Sequence, residues 1–264
     1  MPRLRRRGLP VLTLNRLVPN ALTLLGLCAG LTAVRLALIG RWEMAVAAIA
    51  VAMVMDALDG RIARLMGTTS EFGAQLDSLA DSISFGVAPA LIVYLWALSG
   101  AGGTGWAVAL VFAVACVLRL ARFNTGLGAA KVFPWADRFF TGVPAPAGAG
   151  LALMPMVWSF ELGDGLFGSA WFNGFMLAGV AGLMVSKIPT FSAKRVKIPR
   201  SYVGLALLGV AALIAFLVST PWVTLGVLGL GYLVSIPVSV TVYRRLQKRA
   251  ALHGETPDKS SDQV

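Results

Sequence analysis

Charged residues are scarce in this sequence. Only 13% of its 264 residues are Asp, Glu, Lys or Arg, whereas 57% are hydrophobic. Soluble globular domains carry about 25% charged residues, so the composition excludes that class and indicates a polytopic membrane protein. The sequence has only two cysteines, Cys28 and Cys116, which lie far apart in apolar segments. No disulfide framework is therefore predicted.

Acidic residues are few as well, yet five of the 12, four of them aspartates, fall within the largely apolar stretch from Met55 to Val87. Asp56 and Asp59 are three residues apart, and Asp77 and Asp81 are four apart, so each pair shares one face of a helix. Folding the chain back about the polar linker between the two pairs would bring all four carboxylates to one depth.

These carboxylates need neutralising charge. An aspartate at the centre of a membrane helix costs about 2.5 to 3.5 kcal/mol, so four unpaired ones would cost on the order of 10 to 14 kcal/mol. Two divalent cations would balance the four charges. All the ligands would be oxygens, because the one histidine, His253, lies in the polar tail, and oxygen ligands favour Mg²⁺ or Mn²⁺ over zinc. The alternatives are pairing with nearby arginines or lining a water-filled pore.

Apolar segments of about 20 residues, the length that crosses a hydrocarbon core of roughly 30 Å, recur along the chain. They predict an all-α fold, a polytopic transmembrane helix bundle of about eight spans. The fifth span is short and contains Pro155, which predicts a kinked or broken helix. The predicted spans are Ala21 to Ile39, Met44 to Leu65, Leu76 to Leu98, Trp106 to Phe123, Pro146 to Phe160, Trp171 to Ile188, Tyr202 to Thr220, and Val223 to Tyr243.

The two ends of the chain are polar. We predict that residues 1–20 form a basic interfacial segment, in which Leu9 to Leu17 is a short amphipathic helix on the membrane surface. Residues 21–245 would form the transmembrane domain. Residues 246–264 would form a polar cytoplasmic tail.

Lysine and arginine are unevenly distributed. With eight spans both termini lie on one side of the membrane, and all of the 23 Lys and Arg residues except Arg35 and Arg41 fall on that side or at span ends facing it. The positive-inside rule places this side in the cytoplasm. We therefore predict an integral protein of the cell (inner) membrane whose aspartates face the cytoplasm. Nucleic acid is not a predicted partner, because aromatic and basic residues are not interleaved on a polar surface.

The aspartates belong to a longer pattern of eight fixed residues over 26 positions. This pattern resembles the motif of the CDP-alcohol phosphotransferases at every defining position. The stretch from Ser70 to Ala90, LRLARFN ending at Asn124 and FTGVPAPAGA from Phe140 further resemble the membrane phosphatidylserine synthases of that superfamily. The pattern reads Asp56-x-x-Asp59-Gly60-x-x-Ala63-Arg64, followed by Gly73, Asp77 and Asp81.

The resemblance implies a reaction, in which the phosphatidyl group of CDP-diacylglycerol passes to the hydroxyl of L-serine to give phosphatidylserine and CMP. It also implies a homodimer. Asp56, Asp59 and Asp77 would be the main metal ligands, while Asp81 would lie near a second ion and take the hydroxyl proton. The positions that match the family's CMP-binding part are Gly60, Ala63, Arg64 and Gly73.

The acceptor site is predicted at the cytoplasmic end of the fourth span. Arg119, Arg122 and Asn124 are the candidates, since an arginine fork suits the carboxylate of serine. The alternative is that both arginines only anchor the span. A second basic group after the sixth span would hold diphosphate or anionic lipid, or serve only as a topology signal. This group is Lys187, Lys194, Arg195, Lys197 and Arg200.

Two other functions remain open on the sequence. The same fold could use another acceptor, such as glycerol 3-phosphate, an inositol phosphate or choline. A metal-ion or proton-coupled transporter could use the four carboxylates as its ion site. A transporter would give no reason for the glycines, alanine and arginine at their motif spacings.

Overall fold

The computed structural model describes residues 14–125, 139–191 and 202–252. Over these ranges the chain is an α-helical bundle with one small two-stranded sheet. The α-helices are α1 (Leu14–Leu38), α2 (Trp42–Leu65), α3 (Glu71–Asp81), α4 (Ala88–Val93), α5 (Gly102–Thr125), α6 (Ala145–Leu162), α7 (Ala170–Val185), α8 (Val203–Ser219) and α9 (Pro221–Leu252). The path from α3 to α5 also contains π-helical turns over Ser82–Val87 and Tyr94–Leu98 and a 3₁₀ turn over Ser99–Ala101.

Apolar helices long enough to cross a membrane confirm a helical integral membrane protein. Within the described ranges these are Leu17–Leu38, Glu71–Thr125 and Pro221–Ala250, and Ala170–Val185 and Val203–Ser219 are shorter apolar helices. Every one of the eight predicted spans overlaps a helix. That each of the eight crosses the membrane stays a prediction.

The first helix begins earlier than the first predicted span. Leu14 to Leu17 form the first turn of α1, which continues into the apolar part of that helix. The rest of the predicted interfacial helix, from Leu9 to Thr13, lies outside the described residues. The predicted polar tail, residues 246–264, begins within α9, which continues to Leu252, and from His253 onward it lies outside the described residues.

Helix α6 lies at the centre of the bundle. Eleven of its residues are buried, including Pro155, and the helix continues unbroken through this proline. The prediction that the fifth span is broken is therefore wrong, and a kink at Pro155 stays a prediction. The residues around Pro155 pack into the core, and their burial offsets the backbone hydrogen bond that proline cannot make. By contrast, α8 has no buried residue and packs against α9, so its apolar surface suits lipid.

Small residues let α1 approach the helix that carries the second aspartate pair. A Cβ atom added to Gly30 would lie 2.6 Å from Ser84 Oγ and 2.9 Å from Ser84 Cα, closer than side-chain atoms can pack. The hydroxyl of Ser84 also donates to the carbonyl of Gly26 at 3.4 Å. The Gly26 and Gly30 pair therefore serves packing within the chain, which brings α1 against the aspartate-bearing helices.

Two three-residue strands, β1 (Phe139–Thr141) and β2 (Pro189–Phe191), pair antiparallel, with Phe140 opposite Thr190. The Oγ of Ser239 on α9 donates to Pro189 O at 2.5 Å. The Oγ1 of Thr190 donates to Gly142 O at 2.9 Å. The sheet thus ties the segment after α7 to the start of α6 and to α9.

Candidate active site

The two aspartate pairs meet as the sequence predicts. Asp56 and Asp59 on α2 and Asp77 on α3 each offer a carboxylate oxygen, and these oxygens all lie within 4.8 Å of one another. Asp81 lines the same cavity, which has about 10 Å³ of free volume. That volume is about the size of one water molecule, so the cavity suits a small ion.

The turn between α2 and α3 sets this convergence. Gly67 adopts a φ of 60° just after α2 ends, a conformation that glycine takes without strain. Ser70 then caps α3, with its Oγ accepting a hydrogen bond from the Gly73 N–H at 3.0 Å. Beyond Asp81 the helix widens into the π-helical turn Ser82–Val87, a distortion that is frequent at functional sites.

Thr23 on α1 is part of the site, although the sequence reasoning missed it. Its Oγ1 lies 2.6 Å from Asp59 Oδ2 and 3.2 Å from Pro19 O, and Asp59 itself is only 4% exposed. A hydroxyl bonded to a buried carboxylate fixes the rotamer of that carboxylate. The sequence signal was the pair of polar residues Asn20 and Thr23, which lie three residues apart at the start of the first apolar span.

Asp77 carries an unsatisfied oxygen. Its Oδ1 is buried and finds no hydrogen-bond partner among the described residues. Such an oxygen carries a desolvation cost that a cation would remove. Together with the neighbouring carboxylates of Asp56 and Asp59, this donor set of oxygens fits a hard divalent metal ion.

The motif residues predicted to contact CMP lie at the same end of α2 and α3. A Cβ atom on Gly60 would meet nothing within 4 Å, whereas one on Gly73 would lie 3.2 Å from Asn20 Oδ1. Ala63 is half-buried and Arg64 is exposed. Arg64 donates from Nε to the carbonyl of Gly60 at 2.8 Å. These four positions stay predictions of nucleotide contact.

The three predicted acceptor residues differ in their surroundings. Arg119 is 9% exposed, and its Nε has no hydrogen-bond partner among the described residues. Arg122 donates from Nη2 to Val185 O at the end of α7, at 2.6 Å. Asn124 Nδ2 donates to Ser78 Oγ at 3.0 Å. Arg122 and Asn124 thus connect α5 to its neighbours, and Arg119 is the residue with an unused donor.

The second predicted basic group can be described only in part. Lys187 is exposed between α7 and β2. Lys194, Arg195, Lys197 and Arg200 lie outside the described residues.

The family follows from comparison with known proteins. A family model described as CDP-alcohol phosphatidyltransferase matches residues 16–185, a range that contains all four aspartates. The chain belongs to the CDP-alcohol phosphatidyltransferase family. A second model, described as CDP-alcohol phosphatidyltransferase 2, matches residues 201–237, which span α8 and the first half of α9. The family predicted from the aspartate motif is thus confirmed.

Three relatives in this family share the name CDP-diacylglycerol–serine O-phosphatidyltransferase. The Mycobacterium tuberculosis protein is 38% identical over 98% of this chain and 87% of its own length. The Mycobacterium leprae protein is 37% identical over 92% of this chain and 79% of its own length. A Helicobacter pylori protein is 36% identical over 69% of this chain and 74% of its own length. The similarity therefore extends far beyond the aspartate motif.

Proposed function

We propose that this protein transfers the phosphatidyl group of CDP-diacylglycerol to the hydroxyl of L-serine, giving phosphatidylserine and CMP. The observation that carries the proposal is the 38% identity over 98% of the chain to a protein named for this reaction. The convergence of the aspartate carboxylates supports it. The reaction needs metal ions to bind the pyrophosphate of the nucleotide lipid, and these carboxylates could hold such ions.

The carboxylates would hold the metal. We assign Asp56, Asp59 and Asp77 as the main ligands, with Asp81 near a second ion, and Mg²⁺ or Mn²⁺ as the ions. Bound there, the ions would neutralise the charge that builds up on the two phosphates. The orphaned oxygen of Asp77 supports this assignment.

Side chains and backbone of the protein would remove the acceptor proton and bind the nucleotide. Asp81 would take the proton of the serine hydroxyl, whose oxygen bonds to the lipid phosphorus while the bond from that phosphorus to CMP breaks. Gly60, Ala63 and Gly73 would let the nucleotide approach the backbone closely. Arg64 would bind a nucleotide phosphate.

The orientation and assembly are also proposals. We propose that the site faces the cytoplasm of the cell (inner) membrane, where serine and CDP-lipid headgroups are available. The distribution of Lys and Arg supports this orientation. We further propose that the protein works as a homodimer, as the family resemblance implies.

The acceptor is tested directly with purified protein. We expect CMP release from CDP-diacylglycerol and Mn²⁺ to be at least about tenfold faster with L-serine than with glycerol 3-phosphate, inositol phosphate or choline, a difference of about 1.4 kcal/mol. Faster release with any other acceptor would replace serine in the proposal. The transporter alternative predicts no nucleotide requirement, so thermal stabilisation of the protein by CDP in detergent would argue against it.

We expect Thr23→Val to weaken metal binding by about 10- to 100-fold, because Asp59 loses the hydroxyl that fixes its rotamer. The measurement is the Mn²⁺ concentration that gives half-maximal CMP release. Thr23→Ser, which keeps the hydroxyl, serves as the matched control and should stay close to the unmodified protein. Equal Mn²⁺ dependence in all three proteins would show that Thr23 does not position Asp59.

A further inference from the structure

Arg119 is a buried cation with an unused hydrogen-bond donor. It lies on α5, close enough to Asp56 and Asp81 for its charge to act on both. Its guanidinium carbon lies 5.9 Å from the centre of the Phe123 ring. A buried arginine whose Nε lacks an acceptor is costly, and an anionic ligand would remove that cost.

Two neighbours of Arg119 on α5 make hydrogen bonds to other helices. Arg122 bonds the last turn of α7, and Asn124 bonds Ser78 on α3. These contacts fix the end of α5 between α7 and the helix that carries Asp77 and Asp81. Arg119 is therefore held beside the aspartates by contacts that leave its own Nε free.

Tyr232 on α9 is a second buried group near Arg119. Its Oη is buried and makes no hydrogen bond of normal geometry to a described residue, although Thr190 lies beside it. The Thr190 hydroxyl donates to Gly142 O instead, and its position beside the phenol does not give a hydrogen bond, so the Tyr232 hydroxyl stays an unused donor. Tyr232 also lies near enough to Arg119 for the two groups to interact electrostatically. α9 is held here by the bond from Ser239 to Pro189 O.

We propose that Arg119 and Tyr232 together form a subsite for the carboxylate of a small amino-acid acceptor. Two unused donors, one cationic and one neutral, suit a singly charged carboxylate. Arg119 lies close enough to Asp81 for their charges to interact, so an acceptor held here by its carboxylate would place its hydroxyl near the proposed base. This inference rests on the proposed function and adds a residue from α9, within the segment that the second family model matches.

Tyr232→Phe tests the subsite because it removes the hydroxyl and keeps the ring. We expect this change to raise the KM for L-serine about tenfold, as expected for the loss of one hydrogen bond to a charged group. The KM for CDP-diacylglycerol and the kcat should change less than about twofold. Tyr94→Phe is the matched control, since Tyr94 makes an edge contact with Trp106 at the other end of α5 from Arg119. It should leave all three constants unchanged.

A second acceptor, L-serinamide, has a neutral amide in place of the carboxylate. It distinguishes a loss of carboxylate recognition from a general loss of folded protein, which would affect both acceptors equally. The unmodified protein should prefer serine over serinamide in kcat/KM, and Tyr232→Phe should reduce that preference by about tenfold. An equal loss of kcat/KM for both acceptors, or an unchanged preference, would overturn the subsite while leaving serine transfer intact. If the unmodified protein released no CMP with serine, the proposed function would fail instead.

Discussion

Replacing Asp56, Asp59 or Asp77 with Asn should each lower CMP release by more than about 100-fold. Losing a group that only supports a metal ligand already costs about 10- to 100-fold, and a direct ligand should cost more. Asparagine keeps the size of the side chain but removes the charge, so the helices should still pack. The expected defect is therefore in metal binding, at a point where three carboxylate oxygens lie within 4.8 Å of one another.

The measurement pairs CMP release with Mn²⁺-dependent binding of CDP, and both should fall together in all three variants. Asp164→Asn is the matched control, because Asp164 is an exposed aspartate in the loop after α6, at the opposite end of the bundle. It should change neither quantity. Variants that kept Mn²⁺-dependent CDP binding would contradict the assignment of these residues as ligands.

The aspartate site could be predicted because its signals are local. Both pairs are close in sequence, each at a spacing that puts two side chains on one helix face, and they lie on either side of a turn. The fold-back about Gly67 and the cap at Ser70 then determine which residues meet. The presence of four aspartates in a largely apolar stretch marked that stretch as functional before any geometry was known.

The contributions from distant helices could not be predicted in this way. Thr23 reaches Asp59 because Gly30 lets α1 approach Ser84 closely. A polar residue in an apolar span is a signal, but the sequence does not indicate which group that residue meets. Tyr232 lies on the last helix, and whether its charge environment includes Arg119 depends on how α9 packs on the small sheet. The strands of that sheet are three residues long, too short for the alternation that identifies a strand.

The predicted acceptor residues also depend on contacts between distant parts of the chain that the sequence does not show. Helical spacing showed that Arg119 and Arg122 are neighbours on α5, and it could not show which of them has a partner inside the protein. The carbonyl that Arg122 bonds belongs to Val185, at the end of another helix. Because that contact joins residues far apart in the chain, only the folded arrangement distinguishes the bonded arginine from the one with a free donor.

Asp81→Asn should differ from the other three aspartate variants. Asp81 lines the shared cavity, but it is not one of the three residues whose oxygens lie within 4.8 Å of one another. As the proposed base it would act on the acceptor hydroxyl, and loss of a general base typically costs about 100- to 10,000-fold in rate. We therefore expect kcat with serine to fall by that amount while Mn²⁺-dependent binding of CDP changes less than about fivefold, since the main ligands remain.

Asp81→Asn is best compared with Asp77→Asn, a variant of the same charge change one helical turn away. Turnover and CDP binding should fall together in Asp77→Asn and separate in Asp81→Asn, because one residue would hold the metal and the other would take the proton. Ser78→Ala, on the same helix and bonded to Asn124, controls for disturbance of α3 and should keep most of both. Near-normal turnover in Asp81→Asn would rule out its role as the base. If CDP binding fell as far as turnover, Asp81 would instead belong among the main metal ligands, and the group that accepts the serine proton would have to lie elsewhere in the cavity.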